Sequence, residues 1–283
     1  MANKGQCLCG TVTWEITGQP HGASHCHCSM CRKAHGAAFA TYWTVAPGDL
    51  RFISGTDAIV VYPSSPTLPR AFCGTCGAKV PFAGAEGAEW SVPAGGHEEG
   101  PAAEAEIFVA SRAPWFTLTS DLPRHDAYPA GSGLPSIERP VAPPRTDGKV
   151  GGSCLCGAVA FEITAPFRTA RHCHCSRCRH GRAAAHASNA FAGFDDVVFL
   201  RGGENLATFK LPEARFFAQT FCRTCGSLMP RRDPERQITV VPMGSLDDDP
   251  GIRPGDHVHV GSKAGWFTIT DDLPRNQEGP PPQ

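Results

Sequence analysis

One arrangement of cysteines, written twice, constrains this chain more than any other feature. The first half carries Cys7 and Cys9, then Cys26, Cys28 and Cys31, then Cys73 and Cys76. The second carries Cys154 and Cys156, then Cys173, Cys175 and Cys178, then Cys222 and Cys225. The flanking residues repeat with them. "GQCLCGTVTWEITG" returns as "GSCLCGAVAFEITA", "HCHCSMCR" as "HCHCSRCR", "FCGTCG" as "FCRTCG" and "WFTLTSDLPR" as "WFTITDDLPR". The spacing between matching residues drifts only from 147 (Cys7 to Cys154) to 151 (Trp115 to Trp266), so insertions are loop-sized. The chain is a tandem duplication of a unit of about 125 residues, an ordinary size for one domain.

Seven cysteines per half is an odd number, which argues against a closed disulfide set. The outer groups of each half pair naturally. Cys7 and Cys9 are two apart, so on an extended segment both leave from one face. Cys73 and Cys76 sit in a glycine-flanked turn that lets two thiolates converge. Together they make a closed four-cysteine tetrahedral site, repeated by Cys154, Cys156, Cys222 and Cys225. The middle groups offer only three ligands each: Cys26, Cys28 and Cys31, and Cys173, Cys175 and Cys178. Three protein ligands with an open fourth place is the pattern of a catalytic zinc. At this level the fourth place is open to water, to a substrate sulfur, or to a histidine. His25, His27 and His35 are candidates in the first half, and His172, His174, His180 and His186 in the second. A histidine there would make the site structural. Three thiolates leave the centre with a net negative charge. Such a zinc activates water poorly but suits a fourth soft ligand such as a thiolate, which it holds deprotonated near neutral pH. Chemistry at carbon–sulfur bonds follows.

The order Gly-x-Cys-x-Cys-Gly, His-Cys-x-Cys-x-x-Cys-Arg, Phe-Cys-x-x-Cys-Gly and Ser-Lys/Arg-Ala-x-Trp-Phe resembles the glutathione-dependent formaldehyde-activating enzyme family, also known as the centromere-protein-V type. The resemblance covers both repeats. It implies a zinc fold of the β-tent type with two zinc ions per domain, hence four per chain. It implies that the outer pairs hold the structural zinc and that Cys26, Cys28 and Cys31, with their counterparts, hold the catalytic one. It implies a carbon–sulfur lyase or synthase acting on a thiol adduct, with glutathione as the candidate thiol. A second reading, from a different class, is a non-enzymatic zinc-stapled interaction module.

Arg32 follows the first triad of cysteines and is a candidate clamp for a substrate carboxylate; Arg179 has the same standing. Trp115 and Trp266 read as core. The halves are not equal. Gly36 and Phe39 of the first become Ala183 and His186 in the second, and Glu106 becomes His257. Loss of the glycine counts against ordinary thiol binding in the second copy, whereas at His257 the second copy is the closer to the family; divided labour between the copies and one mainly structural copy both stay open.

The rest of the chain fits a mainly β protein of two tandem antiparallel domains. "TVTWEIT" and "AVAFEIT" alternate apolar and polar residues, as half-buried strands do. High Gly (31) and Pro (26) favour short strands and turns, and convincing helical stripes are absent. The expected organisation is a first zinc domain over 1–126, a Pro/Gly-rich linker over 127–149, a second domain over 150–276 and a disordered tail over 277–283. The two domains are candidates to pack as an intramolecular pseudo-dimer. A net charge of -1 gives no electrostatic case for nucleic acid. No apolar run reaches membrane-span length, and the N-terminus lacks an apolar signal core. Fourteen cysteines as ligands or thiols then suggest the cytoplasm.

Overall fold

The computed structural model describes residues 3–85, 87–132, 134 and 147–280. Each half is built from three sheets, and the second half repeats the first almost strand for strand. A three-stranded sheet joins Asn3–Gln6, Thr13–Ile16 and Leu50–Ser54; its counterpart joins Val150–Ser153, Ala160–Ile163 and Val197–Arg201. A second joins Ile59–Tyr62, Arg70–Cys73 and Lys79–Val80; its counterpart joins Leu206–Lys210, Ala218–Cys222 and Leu228–Met229. The third is a six-stranded sheet in the first half and a five-stranded one in the second. Most pairs are antiparallel. The short strands Ala105–Ile107 and His257–Val258 instead run parallel to the triad-bearing strands Ala23–Cys26 and Thr169–Cys173.

The expected alternation is visible in what is buried. Val12, Trp14 and Ile16 are essentially inaccessible, and so are Val159 and Phe161. Glu15 and Glu162 are also buried, and each meets a basic partner, Arg51 at 3.1 Å and Lys149 at 2.8 Å. Burial of His97 drives its pKa down to about 3. Its bonds fit a neutral ring, because Nε2 accepts from the Trp14 indole at 2.9 Å.

Two α-helices are present where helical stripes were not apparent: α1 (Ser29–His35) and α2 (Ser176–Arg182). Seven residues are too few to show a stripe, and a helix this short is not stable from propensity alone. Its start is a cysteine of the middle group. Cys28 Sγ accepts the Cys31 N–H at 3.3 Å, and Cys175 Sγ accepts that of Cys178 at 3.4 Å. Each helix ends on a left-handed residue, Gly36 at φ 61° and Ala183 at φ 51°. Gly36 is therefore a helix stop rather than a place for a ligand to approach the backbone.

The halves pack against each other reciprocally. Helix α1 docks on the tight turn Met243–Ser245 of the second half, and α2 on Ala94–Gly96 of the first. These turns need glycine. A Cβ on Gly244 would sit 2.4 Å from the Arg32 carbonyl oxygen and 2.6 Å from the Ala37 nitrogen, and one on Gly95 would sit 2.0 Å from the Ala184 nitrogen. Specific bonds cross the same face. His35 Nδ1 donates to the Arg182 carbonyl (2.7 Å), Gln219 to the Cys76 carbonyl (2.8 Å) and the Trp266 indole to the His97 carbonyl (3.2 Å).

Part of the expected linker, at 133 and 135–146, lies outside the described residues, while Tyr128 packs edge-on against Phe108 at 4.8 Å. Within the segment expected as a tail, the Gln277 and Glu278 carbonyls accept the Gly261 and His259 N–H groups at 3.2 and 2.6 Å; residues 281–283 lie outside the described ones.

Gly244→Ala should overpack the contact between the halves and cost about 1–3 kcal/mol. Urea unfolding checks this. Gly48→Ala, where nothing lies within 4 Å of the added Cβ, should change stability by no more than about 0.5 kcal/mol.

Candidate metal centres

All fourteen cysteines are free thiols gathered into four clusters. Cys7, Cys9, Cys73 and Cys76 form one four-membered cluster and Cys154, Cys156, Cys222 and Cys225 the other, with sulfurs all within 4.8 Å of one another. Neighbouring sulfurs are 3.5 Å apart for Cys7–Cys9 and 3.8 Å for Cys9–Cys73, and 3.4 and 3.8 Å for the equivalent pairs of the second half. Four thiolates at a tetrahedral zinc stand about 3.8 Å apart, since each zinc–sulfur bond is about 2.3 Å. The clusters therefore have the spacing of closed metal sites. Each ties the opening hairpin of its half to a turn in a different sheet.

Lys79 lies between these two clusters. Its ammonium donates to the Gly77 carbonyl of its own half at 2.8 Å and to the Gly226 carbonyl of the other at 2.5 Å. Burial pulls its pKa down to about 7 against the opposing pull of Cys225 and Cys76. The matching position of the second half is Leu228.

Cys26, Cys28 and Cys31 form one triad and Cys173, Cys175 and Cys178 the other. Among the described residues no histidine nitrogen or carboxylate oxygen joins either group. The histidines are engaged elsewhere. His25 meets Thr41 at 2.8 Å, and His35 meets Tyr42 at 2.7 Å. His27, set between two ligand cysteines, bonds Glu106 at 2.5 Å, and Glu106 in turn accepts from Ser120 at 2.7 Å. His174 bonds His257 at 2.8 Å, and His257 bonds Asp271 at 2.9 Å. The Glu106/His257 exchange noted in the sequence thus alters the residue that braces the triad's central histidine.

Two cavities bear on the site. The larger, about 780 Å³, opens on Cys173, Cys175 and Cys178. The smaller, about 340 Å³, lies between the halves and is walled by His25, Phe39, His172, His186, His257 and Phe267 among others. Burial depresses His25 to about 4 and His186 to about 3, so these rings are neutral. Neither cavity is lined by a cysteine of the first triad.

Arg32 lines neither cavity. Burial lowers its pKa, with Cys28 and Asp247 of the other half pulling the opposite way. Arg179 is almost fully buried and bonds the Ser262 carbonyl at 3.0 Å and Glu98 at 2.5 Å. Trp115 and Trp266 are 2% and 3% exposed. Two further guanidinium groups, absent from the sequence motifs, lie beside the triads. Arg70 Nη2 donates to Cys31 Sγ at 3.3 Å; burial pulls its pKa down, and Cys31, Tyr42 and Cys28 outweigh that and raise it. Arg182 is held by Asn189 at 2.9 Å; burial brings it down to about 10 against the pull of Cys178. The second half has Gln219 where the first has Arg70, and the first has His35 where the second has Arg182. Comparing the repeats beyond the cysteine motifs would have flagged both positions.

Replacing Lys79 by Met should leave two carbonyls without a donor and cost about 1–3 kcal/mol in urea unfolding, with the bound metal count unchanged.

A sequence model described as "Glutathione-dependent formaldehyde-activating enzyme" matches residues 2–111 and again 149–262. Each matched stretch holds one four-cysteine cluster and one triad. A Halomonas elongata protein named "Putative glutathione-dependent formaldehyde-activating enzyme" is 28% identical over 124 residues, covering 42% of this chain and 79% of its own. A crystal structure of a Rhodobacter sphaeroides protein shares 34% identity, covering 34% of this chain and 86% of its own, with a TM-score of 0.28.

Proposed function

The chain belongs to the glutathione-dependent formaldehyde-activating enzyme family, matched once in each half, and from that premise we propose that it forms or cleaves the adduct of a small thiol of the glutathione class with formaldehyde, as a carbon–sulfur lyase or synthase. The observation that carries this reading is the triad: three cysteine sulfurs gathered at one point, with no fourth side-chain ligand among the described residues. In this proposal zinc fills all four clusters, two ions per half. When bound at a triad it supplies a Lewis acid that keeps a substrate sulfur deprotonated.

The chain's own residues do the rest. Cys28 and Cys175 cap α1 and α2, so the helices fix where two of the three sulfurs of each triad stand. His27 and His174 point away from the sulfurs into the hydrogen bonds with Glu106 and His257, and pin the ligand-bearing strand from behind. In the forward direction a carbon–sulfur bond forms as the sulfur adds to the carbonyl carbon. The proton given up by the thiol ends on the former carbonyl oxygen; the reverse returns thiol and aldehyde. Fourteen reduced thiols suit a reducing compartment such as the cytoplasm. No helix of the described residues is long and apolar enough to cross a membrane.

Exchange of ¹³C-formaldehyde with its glutathione adduct, followed by NMR, tests the activity. The expected result is exchange faster than in buffer, together with four zinc ions per chain by native mass spectrometry. One ion should be lost in each of Cys28→Ser and Cys175→Ser. Exchange at the buffer rate by fully metallated protein would remove the enzymatic reading.

A further inference from the structure

The two triads share ligands and spacing but differ in what stands before them. At matching positions the first half has Met30, Arg70, Phe82 and Tyr128, and the second has Arg177, Gln219, Arg231 and Gly279. The backbone fixes this register. Phe108 and His259 are both left-handed at φ 57°. Their N–H groups bond to the carbonyls of Ala127 and Glu278, the residues just before Tyr128 and Gly279.

In the first half Met30, Arg70 and Tyr128 close the approach. Cys26, Cys28 and Cys31 are only 6%, 8% and 4% exposed. Arg70 lies across them, from Cys31 Sγ at 3.3 Å to Ser64 Oγ at 2.6 Å, with Met30 Sδ 3.8 Å from the same guanidinium. Tyr128, packed on Phe108, covers the same side; its pKa is raised to about 12, first by burial and then by the cysteines of the triad.

In the second half the same space is the 780 Å³ cavity, and all three triad cysteines are partly exposed on its wall. Seven arginines line it, against a single lining carboxylate, Glu213. Among the described residues, carboxylates outside the lining pair with some of these arginines: Asp233 holds Arg236 at 2.7 Å, Glu235 pairs with Arg215, and Asp256 is 3.6 Å from Arg171. Positive charge remains in excess. Arg182 is buried beside the triad with an amide, Asn189, as its hydrogen-bond partner. Arg231 reaches Asp233 only at 3.5 Å, and Arg177 is exposed at the surface. Among the described residues the negative neighbours of Arg182 are the triad cysteines Cys178 and Cys173 rather than a carboxylate.

We propose that substrate reaches only the second triad, and that its cavity selects thiols whose other end carries about two negative charges, as a pair of carboxylates or a phosphate. The first triad is then a sealed metal-holding site, and the two copies have divided the work in the direction opposite to that suggested by Gly36 and Ala183. This inference rests on the reading of the triads as metal sites that accept a thiol.

Cobalt-substituted full-length protein separates the two. Thiol binding at cobalt gives a sulfur-to-cobalt charge-transfer change that does not depend on turnover. Three probes are titrated: mercaptosuccinate, 4′-phosphopantetheine and neutral 2-mercaptoethanol. The expected result is one responding cobalt per chain, with the response kept in Cys28→Ser and lost in Cys175→Ser. At least one anionic thiol should bind about tenfold or more tightly than 2-mercaptoethanol, and the tighter of the two identifies carboxylate or phosphate as the preferred anion. Arg182→Met should erase that preference. Arg177→Ala, at an exposed position, should reduce it without disturbing the fold. Tyr128→Gly should let a second cobalt respond. Two responding cobalts in the wild type, a response that follows Cys28 instead of Cys175, or equal binding of neutral and anionic thiols would each overturn the proposal while leaving the thiol-site reading intact. Silence from every thiol at every cobalt would overturn both.

Discussion

Thiolates brought within bonding distance of one point are the constraint on which the rest of this structure depends. Sulfurs 3.4 to 3.8 Å apart repel one another when ionised and have little reason to gather without a cation. With one, each four-cysteine cluster becomes a cross-link between the first hairpin of a half and a turn more than sixty residues later. A domain of this size buries a modest core, and a structural metal adds binding free energy to its folding free energy. Even the helices depend on the ligands. Residues Ser29–His35 and Ser176–Arg182 are too short to hold themselves, and both begin on a cysteine whose sulfur accepts the helix's own N–H.

The fold was legible in the sequence to the extent that it follows from repeats and from alternation. Duplication, cysteine grouping and the strands around Trp14 and Phe161 all carry local signals. The helices did not, because two turns leave no period to read. The inward turn of Glu15 and Glu162 was equally hidden, since their burial depends on Arg51 and Lys149, which approach from elsewhere in the chain. Gly36 shows how a right observation can carry a wrong meaning. The change to Ala183 is real, but the position is a left-handed helix stop pressed against the other half, where a Cβ would meet Arg182 and Pro242. Ala183 bears the same conformation at φ 51°, so the exchange concerns capping rather than ligand access.

The candidate site was legible only in its sulfur ligands. What surrounds them comes from segments far apart in sequence. Arg70 reaches the first triad from a strand in another sheet, and Arg182 reaches the second from the end of the triad's own helix. No motif predicts that a guanidinium lost at one position of the repeat will reappear at another. Arg32, adjacent to the triad in sequence, is buried where it feels the charge of Cys28 and Cys31 together with that of Asp247 from the other half.

A tandem chain permits what a symmetric dimer of identical domains cannot. In a homodimer every substitution appears at both sites, so a change that seals one seals the other. Here each half varies on its own, and the pattern of change divides by location. At the two reciprocal turns the residues in closest backbone contact match: Gly95 with Gly244, Ala37 with Ala184, Pro93 with Pro242. Close approach at both turns explains it, since either copy would suffer the same backbone clash. Positions around the triads differ in size, in charge or in both: Met30 becomes Arg177, Arg70 becomes Gln219 and Tyr128 becomes Gly279. Loss of packing alone would leave mixed small and polar residues. A cavity that gains arginines while keeping its three ligand cysteines has the character of a site shaped for an anion. On the other side, Arg70 and Tyr128 close over a triad that keeps its own three cysteines, whose work in that proposal is to hold the strand and the helix of its half together.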